Sequence, residues 1–339
     1  MLSDSYPQSD NLTKKLDEFD RFILYKLVQN GRIPYSHIAR DMKKSVQFVQ
    51  FRVKRMHRWG FYLGDVLMLD MSKLGYRTYH LYLQVRQHTG KESDLIQQVV
   101  QYFSDHCGTA AIQKMIGRYQ VYMAITAHNI QEVETMLIGA VDKFRNVITE
   151  YRIMNLYRGY SLAHNFLFPD KELIYQNETL FASPKIDLSD KDMKMIKALN
   201  ENPRMTFSAL GKKIKSQRDT VKRMYKRLVR EKVILRIRPS INPATVGYID
   251  KHIKFKIKFR GLDKLKEIRD HLISLRETKF LVFTFGNYDL SLNIIFNNIH
   301  ELESFQREFD RKFGDIISHI SYHDYYEEVK FKYNLDTLI

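Results

Sequence analysis

Three features of the 339-residue sequence predict an α+β fold built as two tandem copies of one module, each a set of three short helices followed by a βαββαβ unit. The chain repeats at an offset of 172 residues, and its positive charge is concentrated in two stretches at that same offset. In each copy the apolar period passes from helical to that of alternating strands and helices. One core ordinarily serves ~100–200 residues, so the length excludes a single domain. With 44% hydrophobic and 13% aromatic residues the chain has the material for packed cores, which excludes global disorder.

The repeat runs without a gap through the helical part of each copy. Asp20 matches Asp192, Leu27 matches Leu199, Asn30 matches Asn202, and Arg32 matches Arg204. The register continues through Val49 and Val221, Lys54 with Arg55 and Lys226 with Arg227, Arg58 and Arg230, Leu63 and Leu235, then Gly75 with Tyr76 and Gly247 with Tyr248. Further on, Gly117, Arg118 and Tyr119 meet Gly286, Asn287 and Tyr288 at an offset of 169, so a three-residue difference lies between.

The elements follow in order. Phe19, Ile23, Leu24, Leu27 and Val28 share one face of a first helix, with Asp17 as N-cap and Gly31 ending it. A second helix starts near Ser36 with Ile38 and Ala39 inward, and a third near Ser45 with Val49, Val53 and Met56 inward. In copy two the same parts are 189–199, 208–214 and 217–230, with Val221, Tyr225 and Leu228 as the inward stripe of the last. Short strands at 61–69 and 233–237 come next, as a wing or a tether. Copy one continues as strand 79–85, helix 92–103, strands 109–116 and 119–127, helix 130–144 and strand 147–154. Copy two repeats this at 252–259, 262–275, 279–285, 288–295, 299–313 and 316–323. That order is the ferredoxin-like split unit. The domains are then 14–64 and 185–238 for the helices, 65–164 and 239–339 for the βαββαβ units, and 165–184, with Pro169 and Pro184, for a connector that packs rather than swings.

The charge points to a partner. The whole chain carries +16, yet 14–64 alone holds twelve basic and four acidic residues and 185–238 holds seventeen and six, so the remainder nets −3. A generic solvated surface has no reason to segregate charge in this way, whereas a polyanion reader does.

Leu16, Asp17, Glu18, Phe19, Asp20 and Arg21, continuing through Lys54, Arg55 and Met56 to Lys73, Leu74, Gly75 and Tyr76, resemble the opening of the Lrp/AsnC family of feast/famine transcription regulators, and the second copy resembles it as well. The resemblance covers nearly the whole chain, twice. It implies a winged helix-turn-helix domain followed by a ferredoxin-like βαββαβ effector and oligomerisation domain in each copy, double-stranded DNA as partner, and an amino acid as small-molecule effector. It also implies pairing through the βαββαβ sheets, either as a homo-oligomer or as a pseudo-dimer within one chain. A sirohaem-decarboxylase-like enzyme on the same fold is the alternative from a different class, and a protein-interaction relative that has lost DNA binding is a third.

Lysine and arginine neutralise phosphates without reading sequence, and base edges are read by the outward side chains of the third helix. In copy one the phosphate candidates are Lys43, Lys44, Arg52, Lys54, Arg55 and Arg58; Ser45 opens the third helix, and Gln47, Gln50 and Phe51 face outward. In copy two Gln217, Arg218, Asp219, Lys222 and Arg223 take the reading positions, with Lys226 and Arg227 beside them. Two heads so different prefer different bases. Copy one departs from the family's basic third helix at Phe48 and Phe51, which is the support for the interaction reading. For the effector, the resemblance points to the turn of Gly286, Tyr288 and Asp289; copy one has Gln120 where copy two has the carboxylate of Asp289. The same turn chemistry also suits any tight strand connection.

No catalytic motif or cofactor loop is present in the sequence. His319 and His323 share a strand face without a third ligand, so no metal and no cofactor are expected. One cysteine, Cys107, excludes an intrachain disulfide framework. The polar start of the chain lacks the build of a signal peptide, and no ~18-residue apolar run occurs, so a soluble cytoplasmic protein without membrane contact is the expectation.

Overall fold

The structure, a computed structural model, describes residues 14–86, 92–105, 108–172, 174–181, 183–258, 261–331, 333 and 335. Cys107 lies outside them. Copy one runs α1 (Glu18–Gln29), α2 (Tyr35–Asp41), α3 (Val46–Arg58), β1 (Tyr62–Leu69), β2 (Arg77–Val85), α4 (Glu92–Asp105), β3 (Thr109–Ile116), β4 (Val121–Ala127), α5 (Ile130–Lys143), β5 (Ile148–Leu162) and β6 (Tyr175–Leu180). Copy two runs α6 (Asp190–Glu201), α7 (Phe207–Lys213), α8 (Arg218–Arg230), β7 (Ile234–Ile241), β8 (Ile249–Ile257), α9 (Leu262–Ser274), β9 (Thr278–Phe285), β10 (Leu290–Phe296), α10 (Ile299–Phe313) and β11 (Ile317–Phe331). No helix among the described residues is long and apolar enough to cross a membrane.

The helix starts are written locally. Asp17 and Ser189 each accept a hydrogen bond from the backbone N–H three residues on, and Asp20 and Asp192 return it, giving a capping box at α1 and at α6. Ser45 caps α3 as the spacing predicts. Gly31 plays a different part from the helix terminator expected of it, since Asn30 is the C-cap. A Cβ on Gly31 would stand 2.3 Å from the Ile237 carbonyl oxygen, so the glycine is required by the close approach of β7.

The strands expected as wings or tethers are tethers. β1 pairs with β7 of the other copy in an antiparallel ribbon whose register runs from Tyr62 opposite Ile241 to Leu69 opposite Ile234. Val66 faces Arg238, its own equivalent in the repeat, so a pseudo-twofold axis passes between them. The ribbon also exchanges core residues. Leu67, Leu69 and Met71 pack in the core of the second helical head, with Met195, Leu199 and Leu228, while Ile241 packs in the core of the first, with Ile23, Leu27 and Val49. The sequence boundaries at 64 and 238 therefore cut strands that serve both heads.

β5 and β11 continue well past their expected ends at 154 and 323 because their second halves pair across the copies, β5 with β9 and β11 with β3. The strands β2, β4, β3, β11, β8, β10, β9 and β5 follow one another in that order, and β5 pairs back onto β2. Eight antiparallel strands thus close into a barrel, which leaves no free edge in the ring. The connector packs as expected: Leu167 and Phe168 enter the core of the first head, and β6 adds to β5. Outside the barrel, α4 and α5 cover copy one's strands, and α9 and α10 cover copy two's.

The faces that point into the barrel are polar and aromatic. His80 and His252, equivalent in the two copies, are both buried. His252 hydrogen-bonds Ser291 and Tyr325, and His323 lies 2.9 Å from the Ser321 hydroxyl. Lys254, 1% exposed, sits 3.1 Å from the centre of the Tyr82 ring with Tyr119 and Tyr288 at 5.5 Å, and no carboxylate among the described residues pairs with it. Toward the ribbon the interior opens into a cavity of about 400 Å³, lined by residues of β1, β7 and the barrel strands, His80 and His252 included.

Burial lowers the Lys254 ammonium to a pKa of about 6, and lowers the imidazoles of His80 and His323 to about 3. Each group is a base whose proton is bound more readily by the unfolded chain, so stability rises with pH, from about 3 to 6.5 for the histidines and from about 6 to 10.5 for the lysine. Lys254→Met should raise the melting temperature at pH 7, by on the order of 1–3 kcal/mol in stability, and should flatten its rise between pH 6 and 8. Thermal unfolding across that range checks it.

Candidate nucleic-acid interface

In each head the last helix is held from behind by the capping box of the first. Arg55 of α3 reaches Asp20 at 2.5 Å, and Arg227 of α8 reaches Asp192 at 2.5 Å. Arg52 adds an ion pair to Asp17. Burial by itself raises the Asp192 carboxyl, and the hydrogen bonds from Arg227 and Ser189 more than offset it, so that it titrates below the ordinary value. These arginines fix the helix; Arg55 also lies over the Trp59 ring at 4.7 Å.

The remaining side chains expected at DNA stand on the outer face. Lys43, Lys44, Ser45, Gln47, Gln50, Phe51 and Lys54 are exposed in copy one, as are Gln217, Arg218, Asp219, Lys222, Arg223 and Lys226 in copy two. Phe51 is 56% exposed. Phe48 instead packs edge-on against Phe19 at 5.5 Å, beneath Arg52. Arg55 and Arg227 are half-buried in their ion pairs.

The turn before each of these helices is unusual. Lys43 and Lys215, equivalent in the repeat, both adopt a left-handed backbone with φ of 52°. The Lys44 N–H to the Ala39 carbonyl (2.9 Å) and the Ser216 N–H to the Gly211 carbonyl (2.8 Å) close the two turns. A non-glycine residue there costs about 1 kcal/mol, and both copies bear it to place a lysine at the tip.

Arg32 and Arg204 lock the heads to one another. Arg32 donates to the carbonyls of Pro203 (2.8 Å) and Met205 (2.6 Å) and stacks on Phe207 and Tyr225; Arg204 donates to Gly31 (2.6 Å) and Ile33 (2.6 Å) and stacks on Tyr35. The repeat pairs these two arginines, but sequence alone gives no sign that each reaches into the other copy.

The turn carried as an effector candidate is occupied by its own chain. Asp289 accepts the Ile257 N–H at 2.8 Å and the Lys256 ammonium at 3.0 Å. In copy one Gln120 does the same work, accepting the Val85 N–H at 2.8 Å and donating to the Gly117 carbonyl at 2.6 Å. Gly286, at φ 142°, lies against the Ile153 carbonyl, and Tyr288 stacks on His319.

The AsnC-type helix-turn-helix domain matches at residues 16–57 and again at 188–229. The HTH-type transcriptional regulator Ptr1 of Methanocaldococcus jannaschii is 30% identical over 122 residues, 34% of this chain and 78% of that protein. The chain belongs to the Lrp/AsnC family. An uncharacterised HTH-type transcriptional regulator of Pyrococcus abyssi is 29% identical over 140 residues, 40% of this Lrp/AsnC chain and 85% of that protein. Among solved structures, the siroheme decarboxylase NirDL overlays with a TM-score of 0.59 at 14% identity, covering 94% of each chain. At that identity the likeness is one of fold: it shows the two-module layout of this Lrp/AsnC member in another protein.

Two measurements bear on this geometry. Lys43→Gly with Lys215→Gly should raise stability by up to ~1 kcal/mol per site, read by denaturant unfolding. Arg32→Ala with Arg204→Ala removes four charged hydrogen bonds and should lower stability by about 2–4 kcal/mol, with faster amide exchange in the 30–34 and 202–206 segments.

Proposed function

We propose that the chain is a sequence-specific DNA-binding transcription regulator that works as a pseudo-dimer within one polypeptide. The observation that carries this reading is the pair of equivalent, exposed, basic helices α3 and α8, related by the pseudo-twofold of the ribbon and fixed in spacing by Arg32 and Arg204. Phosphate contacts fall to Lys43, Lys44 and Lys54 and to Lys226 and its neighbours, while Arg55 and Arg227 act as positioning residues behind the helix. Gln47, Gln50 and Phe51 suit adenine and a thymine methyl, and Arg218 and Arg223 suit guanine, which supports an asymmetric site. The family's regulators, Ptr1 by name among them, support the reading. Asp289 already pairs with the Lys256 ammonium and the Ile257 N–H, one on each oxygen, which supports reading the turn as structure ahead of an amino-acid site.

A second reading, an enzyme acting on a tetrapyrrole, is favoured by one observation, the His80 and His252 pair lining a cavity in a chain that shares its whole layout with a siroheme decarboxylase. Fold does not transfer chemistry. Incubation with an iron tetrapyrrole separates the readings, because an unchanged haem-type absorption band removes the second.

The regulator reading is tested on a duplex selected from random DNA, by fluorescence anisotropy at several salt concentrations. Arg223→Ala should cost about 1–3 kcal/mol on the selected site and relax its preference, while Lys226→Glu should weaken all sequences alike and lower the salt slope by ~1. Wild-type binding by both variants would remove α8 as a reader.

A further inference from the structure

We infer that copy two's half of the barrel pairs with a face of the copy-one kind and refuses a second copy of itself, and that the contact of Tyr82 with Lys254 makes the choice. The inference goes beyond the DNA-binding reading and does not depend on it.

On a twofold axis a residue meets its own equivalent. Tyr82 and Lys254 stand at the same place in the repeat, 172 residues apart, and they touch: the Lys254 ammonium lies 3.1 Å from the centre of the Tyr82 ring. It also lies 5.5 Å from the ring of Tyr119 and 5.5 Å from that of Tyr288, which are again equivalents, at the offset of 169. A group equally far from two equivalent rings is on the pseudo-axis itself. Only one side chain can hold that point. In this chain Lys254 takes it and Tyr82 supplies the aromatic face beneath it, both of them 1% exposed. Two copy-two halves facing one another would send two ammoniums to one place in a closed interior, each without the ring that now receives it. Among the described residues no carboxylate pairs with Lys254.

The neighbouring positions sort the same way. His323 faces the rings of Tyr82 at 6.5 Å and Tyr119 at 6.3 Å, and its counterpart in copy one is Met154. Tyr122 rests against His252 at 5.9 Å, and its counterpart in copy two is Ser291, which hydrogen-bonds His252. Copy one thus brings rings to the axis, and copy two brings bases and a hydroxyl. Two copy-one halves would set ring on ring without charge, so the refusal is one-sided. One side is enough, because two chains that paired like with like would need one copy-two pair for every copy-one pair. A buried ammonium without a carboxylate lowers stability, and what Lys254 supplies in its place is discrimination between partners.

The test builds each like pair inside the full chain, where the barrel itself reports the cost, and reads it by thermal unfolding without DNA. Tyr82→Lys sets lysine on lysine and should lower the melting temperature by at least ~5 °C. Lys254→Tyr sets ring on ring and should move it by less than that in either direction. The exchange of both, Tyr82→Lys with Lys254→Tyr, rebuilds the unlike pair from the opposite sides of the axis and should melt within ~3 °C of wild type. If Tyr82→Lys alone fails to fold, recovery of a folded barrel in the exchanged chain carries the same test. The inference is overturned if Tyr82→Lys melts like wild type, or if the exchanged chain is as unstable as Tyr82→Lys, because the loss then belongs to position 82 and not to the pair. It is overturned as well if the gain from Lys254→Tyr matches the loss from Tyr82→Lys, since like pairs would then be as favourable together as unlike ones.

Discussion

The antiparallel pairing of β1 with β7 is the constraint on which the rest of the molecule rests. A strand that leaves a helical head carries a row of backbone donors and acceptors that need partners. Here each head's strand finds them in the other's, in a register that brings Val66 opposite Arg238. Once that register is set, Leu67 and Leu69 can only complete the second head and Ile241 the first, so neither head owns a full core. The mutual insertion of Arg32 and Arg204, the entry of β5 and β11 into the opposite half of the barrel, and the cavity beneath the ribbon are all placed by the same axis.

What the amino-acid sequence discloses is what is decided locally. Asp17, Ser45 and Ser189 cap helices within three residues of themselves, so the helices could be placed; β3 was readable to the residue because its apolar pattern is answered by helices of its own copy. The far ends of β5 and β11 are not legible, because residues 155–162 pair on one side with β9 and residues 324–331 pair with β3, strands more than a hundred residues away. The exposed faces of α3 and α8 follow from stepping outward from Val49 and Val221. The same stepping sets Arg55 and Arg227 toward DNA, because it cannot register that buried Asp20 and Asp192 stand behind the helix, each already bound into a cap. Asp289 teaches the same lesson, since its likeness to a ligand-binding carboxylate is visible in sequence while the Ile257 N–H that claims it is not.

The equivalence of the copies makes their differences informative. Where both keep the same residue, as at His80 and His252 or in the left-handed Lys43 and Lys215, the position serves a task that each half performs. Where they part, as at Val66 and Arg238 or Ala110 and Lys279, one half has taken on a property the other lacks. A charge placed near a symmetry axis is doubled in a homodimer, with mutual repulsion that a buried wall tolerates poorly. Joining the copies in one chain removes that doubling.

Closing the barrel and the ribbon within a single polypeptide also changes how the molecule responds to its own abundance. When two separate chains must meet before they can grip a duplex, the competent species grows with the square of protein concentration while the protein is scarce, and dilution disarms it. With β5, β6 and the connector leading directly from one half into the next, the encounter is intramolecular and its effective concentration is set by the chain itself. If the single chain is the species that grips DNA, as proposed above, occupancy of a target follows the number of molecules in direct proportion, and a few copies per cell are as well assembled as many.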